Sequence, residues 1–425
     1  MLGVRLAVLA MLGCFVVSLA TSGCSYWRID PWHVLVRSDY IRSLVQEKQI
    51  LSKARLEWTG DKRVRVLYVS GSPYERGYQH GALLRKEIQD NFGYLYKTAQ
   101  EKFHFDELFA EAYERMQPFI PAEYIEEMHG LAHGSRLPLA MIHHLHILPE
   151  LGEWGGKKQI KGVIKQMMAG DLGTSCSNFS MTGASTVDGE MYVVRILDWG
   201  LHRISKLHEY PLITVNIPEN GVPSANIGWV GFLGAVSGMN AEGITLGEMG
   251  YGDPPNETLR GRPMPFLLRD VLSQASSLGE AELILKESIG TNSFVFLISD
   301  GKTKSSKLFI KDRDRFKTSS AGQEVRDGEE HLPAISDVVY GGHYNEKMAE
   351  MLSMSHGKIS CDLLQDTLIP EFAMKSNFQN VIYLPSKLQF WVSNARDKGN
   401  WAASESYSFF DLKKALITGI EETAD

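Results

Sequence analysis

The chain has 425 residues, 44% hydrophobic and 22% charged, which is enough apolar material for one large domain or two ordinary ones. Its net charge of −7 argues against a nucleic-acid-binding protein, which would carry a basic surface. The four cysteines, Cys14, Cys24, Cys176 and Cys361, form no Cys-x-x-Cys pair and no cluster with histidine at ligand spacing, so the sequence predicts no metal site.

Residues 1–23 have the features of a secretory signal peptide. One positive charge, Arg5, precedes an apolar stretch (6–20) that is short for a membrane span. The Gly-Cys24 pair that follows resembles a bacterial lipobox, in which the cysteine carries lipid. We therefore expect export and attachment to the membrane of a bacterial cell envelope through Cys24. An ordinary signal peptide or an uncleaved anchor is the alternative, and residues 24–60 form a lead with no clear period.

The sequence pattern of residues 61–175 predicts a strand followed by helices. The stretch RVRVLYVSG (63–71) alternates and is β-branched, which is typical of a strand. Ser72-Pro73 is a helix-start signal, and helical apolar spacing continues from there to about residue 150. The stretch that follows (152–175) is rich in Gly and Lys and predicts a loop.

The hydrophobic pattern changes at Cys176 from a helical period to a period of two. A strand, an Asp188-Gly189 hairpin turn and a second strand follow directly. Further elements are predicted in chain order as strands near 210–217, 225–233 and 235–249, a helix at 263–288, strands at 292–299 and 305–311, a helix at 344–355 and a hairpin at 380–393. Residues 176–425 therefore form a β-rich region behind the helical one.

The sequence GTSCSNFS (173–180) places Cys176 among small polar residues, which favour a sharp bend and an exposed side chain. A thiol needs a base or a lowered pKa to act as a nucleophile. A histidine is one possible base, and several lie within residues 129–146. Cleavage of the bond before Cys176 would supply another, because its own α-amino group, with an ordinary pKa of about 7.7–8.0, would lie beside the sulfur. A buried inert thiol, or a disulfide with Cys361, is the alternative.

Several motifs resemble those of a known family. Cys176-Ser-Asn-Phe followed by Arg195-Ile-Leu-Asp198 is similar to the N-terminal hairpin of choloylglycine-hydrolase-like N-terminal-nucleophile hydrolases. GSPYERGYQHGALL (71–84) and EEMHGLAHG (126–134) resemble the prosegment of the acyl-coenzyme A:6-aminopenicillanate acyltransferase family within that group. The resemblance implies an α+β fold, in which two antiparallel sheets pack face to face between helices as an αββα sandwich behind a mostly helical prosegment.

The resemblance also implies roles for single residues. Members of this family cleave themselves, which here would occur between Ser175 and Cys176 and make the cysteine an N-terminal nucleophile. Arg195 would stabilise the thiolate or the substrate, and Asp198 would orient the new amino group. Asn345, in a His-Tyr-Asn element, would donate its amide to the oxyanion of a tetrahedral intermediate. The alternative for Asn345 is a helix N-cap.

Three positions depart from the family pattern, one of them Ile196, where an Asn is common after the Arg. The family often has Gly before the nucleophile, whereas this chain has Ser175. Where relatives place a substrate-contacting Asn after the second hairpin, this chain has Glu248. No oxyanion role can therefore be transferred to that position.

The function implied is that of a self-processing cysteine amidohydrolase or acyltransferase. It would act on a small-molecule amide or thioester donor through an acyl-enzyme at Cys176, without a cofactor. Its two chains, an α chain ending at Ser175 and a β chain (176–425), would come from one precursor. Two alternatives are open: a histidine-assisted thiol hydrolase that works as an intact chain, and an inactive envelope lipoprotein of the same fold.

Overall fold

The computed structural model describes residues 44–103, 106–152, 176–200, 205–251, 258–327, 330–342 and 344–421. The predicted signal peptide, Cys24, Ser175 and His343 lie outside these ranges. From Ile50 onward the chain forms one compact unit. Within the described ranges, no helix has both the length and the apolar composition needed to cross a bilayer.

The helices are α1 (Leu44–Ser52), α2 (Pro73–Leu83), α3 (Arg85–Phe103), α4 (Asp106–Met116), α5 (Ala122–Ser135), α6 (Leu139–His146), α7 (Leu148–Gly152), α8 (Met264–Gln274), α9 (Leu278–Glu287), α10 (Asn345–Met354), α11 (Cys361–Leu363), α12 (Ile369–Phe372) and α13 (Leu412–Glu421). A π-helical turn, Leu364–Leu368, joins α11 to α12.

The strands are β1 (Arg55–Trp58), β2 (Arg65–Gly71), β3 (Ser177–Met181), β4 (Tyr192–Asp198), β5 (Pro211–Pro218), β6 (Ser224–Trp229), β7 (Ser237–Asn240), β8 (Ile244–Gly250), β9 (Phe294–Asp300), β10 (Ser305–Lys311), β11 (Phe316–Ser320), β12 (Val325–Asp327), β13 (Glu330–Leu332), β14 (Val338–Gly341), β15 (Asn377–Leu384), β16 (Gln389–Asn394) and β17 (Ser408–Asp411).

Two large sheets contain most of these strands. One has nine strands in the order β1-β2-β5-β6-β7-β8-β9-β10-β11, and the other has six in the order β14-β3-β4-β15-β16-β17. Among the described strands, β2 and β5 form a parallel pair and the other neighbours are antiparallel. Because β2 precedes Cys176 and β5 follows it, the nine-stranded sheet is built from both halves of the chain.

The two sheets pack face to face, with helices on their outer sides. Ser180 Oγ of β3 lies 2.7 Å from Ser306 Oγ of β10 across the gap between the sheets. Phe179 points the other way and packs edge-on against Phe372 of α12, with ring centroids 5.5 Å apart, as strand alternation requires. Helices α8 and α9 cover the outer face of β7–β10, and α10 packs against β14. The predicted α+β αββα sandwich is confirmed.

Two stretches that were each predicted as one helix form two helices in the structure. The stretch 263–288 forms two helices because the Ser277 hydroxyl accepts from the Glu280 N–H at 3.2 Å and starts a new helix. The long helix after Ser72 also breaks at Leu84, whose backbone leaves the helical region. The predicted start at Ser72 is correct, since Ser72 and Glu75 form a reciprocal capping box.

Helices α2 and α5 cross with their backbones in contact through paired Gly-x-x-x-Gly sequences, GYQHG (77–81) and GLAHG (130–134). A Cβ on Gly77 would lie 1.9 Å from the Glu127 carbonyl oxygen, and one on Gly130 would lie 2.1 Å from that of Tyr74. Backbone atoms cannot rotate away as a side chain can. The glycines of the two prosegment-like motifs therefore set the distance between these helices.

This crossing predicts opposite effects of the same substitution at two helical glycines. Gly130→Ala should lower the free energy of unfolding by about 2 kcal/mol or more, because the helices must separate. Gly93→Ala, in α3 with no atom within 4 Å of its added Cβ, should instead raise it by about 0.5–1 kcal/mol through helix propensity. Urea denaturation of both variants measures this, and equal effects would contradict the proposed close contact.

Candidate active site

Cys176 lies immediately before β3, beside the β3–β4 hairpin. The ladder begins with Ser177 opposite Ile196, and continuing this antiparallel register places Cys176 opposite Leu197 and next to Asp198. The side chain of Cys176 is 7% exposed. Cys176 and Cys361 are both free thiols, so the disulfide alternative is not formed in this structure.

Cys176 opens onto a cavity of about 40 Å³ between the two sheets. Its lining consists of Pro149, Cys176, Leu197, Asp198, Trp199, Val236, Glu248, Gly250, Met264 and Phe294. The cavity is smaller than the roughly 300–1,000 Å³ of a typical ligand pocket. Pro149 and Met264 approach it from α7 and α8, which are joined because the Glu150 carboxylate accepts from the Met264 N–H. The thiol thus lies in a small, mostly apolar space.

Arg195 brings a buried positive charge to the thiol. Its side chain is 1% exposed, and its Nη1 donates to the Ile196 carbonyl at 2.8 Å while its Nε donates to the Val236 carbonyl at 3.4 Å. Its Nη2 donates to Glu248 Oε1 at 2.8 Å. Arg195 and Cys176 also influence one another electrostatically. The predicted neighbours are therefore together in space, with one further partner.

Glu248 is that partner, a residue to which the sequence analysis assigned no role. It lies in β8, lines the cavity and is almost fully buried. Its main chain is fixed as well, since Asn178 Nδ2 donates to its carbonyl at 3.2 Å. Burial raises the pKa of Glu248, while Arg195 acts in the opposite direction. Glu248 occupies the position where relatives have a substrate-contacting Asn, and in this structure it forms an ion pair inside the site.

Asp198, the last residue of β4, lines the cavity, and one of its two carboxyl oxygens has no hydrogen-bond partner. Oδ1 accepts from Asn377 Nδ2 at 3.0 Å, whereas Oδ2 is buried and meets no donor within hydrogen-bonding geometry. The β4–β15 register shifts between Asn377 and Gln379. Such a strand end with a bulge accommodates Arg195 and Asp198, three residues apart, at one site. Burial raises the pKa of Asp198 to about 8. The Asn377 amide, the Met374 backbone and Arg195 act in the opposite direction and lower this pKa.

The same environment keeps the Cys176 thiol neutral. Burial raises the pKa of Cys176 to about 12. The Arg195 guanidinium lowers this pKa, but the Glu248 and Asp198 carboxyl groups raise it. Because the thiolate is the reactive form, the uncut chain contains a poor nucleophile at neutral pH.

Asn345 is not brought to this cavity. It begins α10 after β14, and its Oδ1 accepts from the Gly342 N–H at 2.8 Å. It is absent from the cavity lining. This contact organises the turn before the helix. The N-cap of α10 is Tyr344, without a side-chain capping bond, so the capping alternative for Asn345 is not formed. The contact does not use the Asn345 Nδ2 amide, whose oxyanion role stays a prediction. No described residue of the lining is a histidine either, so the described geometry gives no base to a histidine-assisted mechanism.

Comparison with known proteins gives distant matches. No protein-family model matches the chain. Protein dcd1B of Dictyostelium discoideum is 23% identical over 352 residues, which cover 75% of this chain and 66% of that protein. Protein dcd1A of the same organism is 25% identical over 250 residues, covering 52% of each. The chain thus spans about half to two-thirds of the length of these relatives.

Among solved structures, the chain is similar to the Caenorhabditis elegans N-acylethanolamine-hydrolyzing acid amidase ortholog. The match has a TM-score of 0.38 and 11% sequence identity, and it covers 56% of this chain and 99% of that one.

The Arg195–Glu248 pair predicts how the thiol responds when one charge is removed. Glu248→Gln keeps an acceptor for Arg195 but removes a negative charge that raises the pKa of Cys176. That pKa should fall, and alkylation of Cys176 by iodoacetamide at pH 8 should accelerate about tenfold or more. Peptide mass mapping after timed alkylation of the purified protein measures the rate, with cleaved and uncleaved Cys176 peptides quantified separately.

Glu346→Gln is the matched control, because Glu346 is exposed in the first turn of α10. Its alkylation rate should equal that of wild type. A Glu248→Gln rate that is unchanged or slower would mean that this carboxylate does not govern the thiol.

Proposed function

We propose that the chain is a self-processing cysteine amidohydrolase or acyltransferase whose nucleophile is Cys176. The observation that supports the proposal is the convergence of Cys176, Asp198 and Glu248 on one buried cavity, with Arg195 paired to Glu248 beside it. The unpartnered Oδ2 of Asp198 lies beside the position where cleavage would create an amino group. A buried carboxylate oxygen without a donor is costly, and an ammonium group there would supply the missing donor.

In maturation, the Cys176 Sγ attacks the carbonyl carbon of Ser175 and the peptide nitrogen leaves as the Cys176 α-amine, which yields a thioester. Water then hydrolyses the thioester, releasing the Ser175 carboxylate and restoring the thiol. The new α-amino group can accept the thiol proton, because it is attached to the same residue. Asn377 supports this step by holding Oδ1 of Asp198, which leaves Oδ2 for the amine.

In catalysis, the Cys176 thiolate attacks the carbonyl carbon of an amide or thioester, and the acyl group is carried on sulfur until water or an amine accepts it. Arg195 stabilises the thiolate. The apolar walls formed by Leu197, Val236 and Phe294 favour an uncharged acyl group. The N-terminal features of the sequence would place this activity at a bacterial cell envelope, anchored through lipid on Cys24.

The proposal predicts the chain composition of the purified protein. Wild type should separate into two fragments on a denaturing gel, and intact mass should place the break between Ser175 and Cys176. Cys176→Ala should give one full-length chain, because the attacking sulfur is absent. Cys361→Ala, the control for loss of a thiol elsewhere, should be cleaved as wild type is. A wild-type protein that stays intact would refute self-processing.

A further inference from the structure

The loop between β6 and β7, Val230–Val236, touches the cavity at its far end. Val236 lines the cavity, and its carbonyl accepts from Arg195 Nε at 3.4 Å. At its near end, Trp229 packs against Trp199, another cavity residue, with ring centroids 5.5 Å apart. A shift of this loop would therefore move both the Arg195 guanidinium and one wall of the cavity.

Two histidines from the N-terminal helices hold this loop from the opposite side. His80 of α2 accepts the Gly231 N–H at its Nε2, at 2.9 Å. His146 of α6 accepts the Leu233 N–H at its Nε2, also at 2.9 Å. Both side chains are at most 1% exposed. Asn91 of α3 adds a third contact from its Nδ2 to the Val230 carbonyl at 3.2 Å.

These contacts require both imidazoles to be neutral. A backbone N–H can only donate, so each Nε2 must present a lone pair, and His146 Nδ1 then donates to the Ile142 carbonyl at 2.7 Å. The charged groups that act on the two rings are Glu127 and Arg269, and His146 also lowers the pKa of His80. Burial lowers the pKa of His80 to about 3 and that of His146 to about 4.

A series of stacked rings also connects the N-terminal helices to the cavity through this loop. His146 stacks on Phe232 at 5.5 Å, and Phe232 stacks on Trp229 at 4.6 Å, which continues to Trp199 at the cavity. Gly231 has a left-handed φ of +89°, and a Cβ there would lie 2.9 Å from the Phe92 ring. The loop is therefore fitted closely to the helices that hold it.

We infer that His80 and His146 are positioning residues for the nucleophile: as neutral acceptors they fix the Val230–Val236 loop and, through it, Arg195 and the Trp199 wall. This inference rests on the proposed function for its catalytic meaning. It makes the N-terminal helices a lasting part of the site after cleavage, because β6, β7 and Arg195 lie on the other chain.

The test compares variants that lack or keep an acceptor. His80→Leu and His146→Leu leave a backbone N–H of the loop unpaired, whereas His80→Gln and His146→Gln retain an acceptor near Nε2. Iodoacetamide alkylation of Cys176 in the full chain, localised by peptide mapping at pH 8, should slow about tenfold in the leucine variants as the pKa of the thiol rises by about one unit. The glutamine variants should stay close to wild type.

Leu131→Ala is the matched control, since Leu131 is fully buried in α5, and its backbone packs against Gly77 and Gly81 of α2. The substitution should therefore loosen the same helices while keeping both histidines. General loosening exposes a buried thiol, so this variant should be alkylated at the wild-type rate or faster despite a lower Tm. Leucine variants that behave like Leu131→Ala would overturn the inference. The comparison is readable even if wild type is never cleaved, so failure of the proposed function is a separate result.

The pH dependence of Tm gives a second readout. Because folding depresses both histidine pKa values below about 6.5, the unfolded chain takes up about one more proton at each, and stability is lost as pH falls from about 6.5 toward about 4. The double variant His80→Gln/His146→Gln should lose stability less steeply over this range than Leu131→Ala. Equal slopes would show that the imidazoles are not neutral acceptors, and the inference would fail.

Discussion

The site depends on one buried ion pair, Arg195 of β4 with Glu248 of β8, which spans the two sheets beside Cys176. Removing such charges from water costs several kcal/mol per ion, and the attraction offsets this only with good geometry and further hydrogen bonds. Arg195 has both, because the carbonyls of Ile196 and Val236 accept from its Nη1 and Nε. The pair therefore fixes the spacing of the sheets at the point where Cys176 lies.

This constraint explains the residues around the pair. A Cβ on Gly247 would lie 2.4 Å from Asn178 Oδ1 and 2.8 Å from Arg195 Cδ, so the residue before Glu248 must be glycine for the sheets to approach. A well-packed apolar substitute for a buried ion pair is often as stable or more stable. The pair is thus better explained by its effect on the Cys176 thiol than by stability, since perturbed ionisable groups concentrate at functional sites.

The predictable part of the site was the part encoded locally. Cys176, Arg195 and Asp198 belong to one hairpin, so strand alternation and a turn signal predicted that they lie close together, and the family resemblance implied their roles. Glu248 and Asn377 lie 53 and 179 residues from their partners, and only the pairing of distant strands brings them in. The fold class was implied by the family resemblance and supported by the order of strands and helices, whereas β1 and β17, short edge strands with partly exposed faces, gave no comparable pattern.

In the uncut chain the residues of the site lie together, but the Cys176 thiol is in its unreactive, protonated form. The physical cause is the shortage of positive charge around it. Cys176 and Asp198 are both held toward their neutral forms by burial, and the charge of Arg195 is already shared with Glu248. In the proposed self-cleavage, an ammonium group at residue 176 would add a positive charge beside the thiol, and a nearby opposite charge lowers an acidic pKa. The proposed cleavage would therefore supply a base and also shift the thiol toward thiolate. The first attack would be made without that charge, so it is expected to be slower than the attack by the cleaved protein.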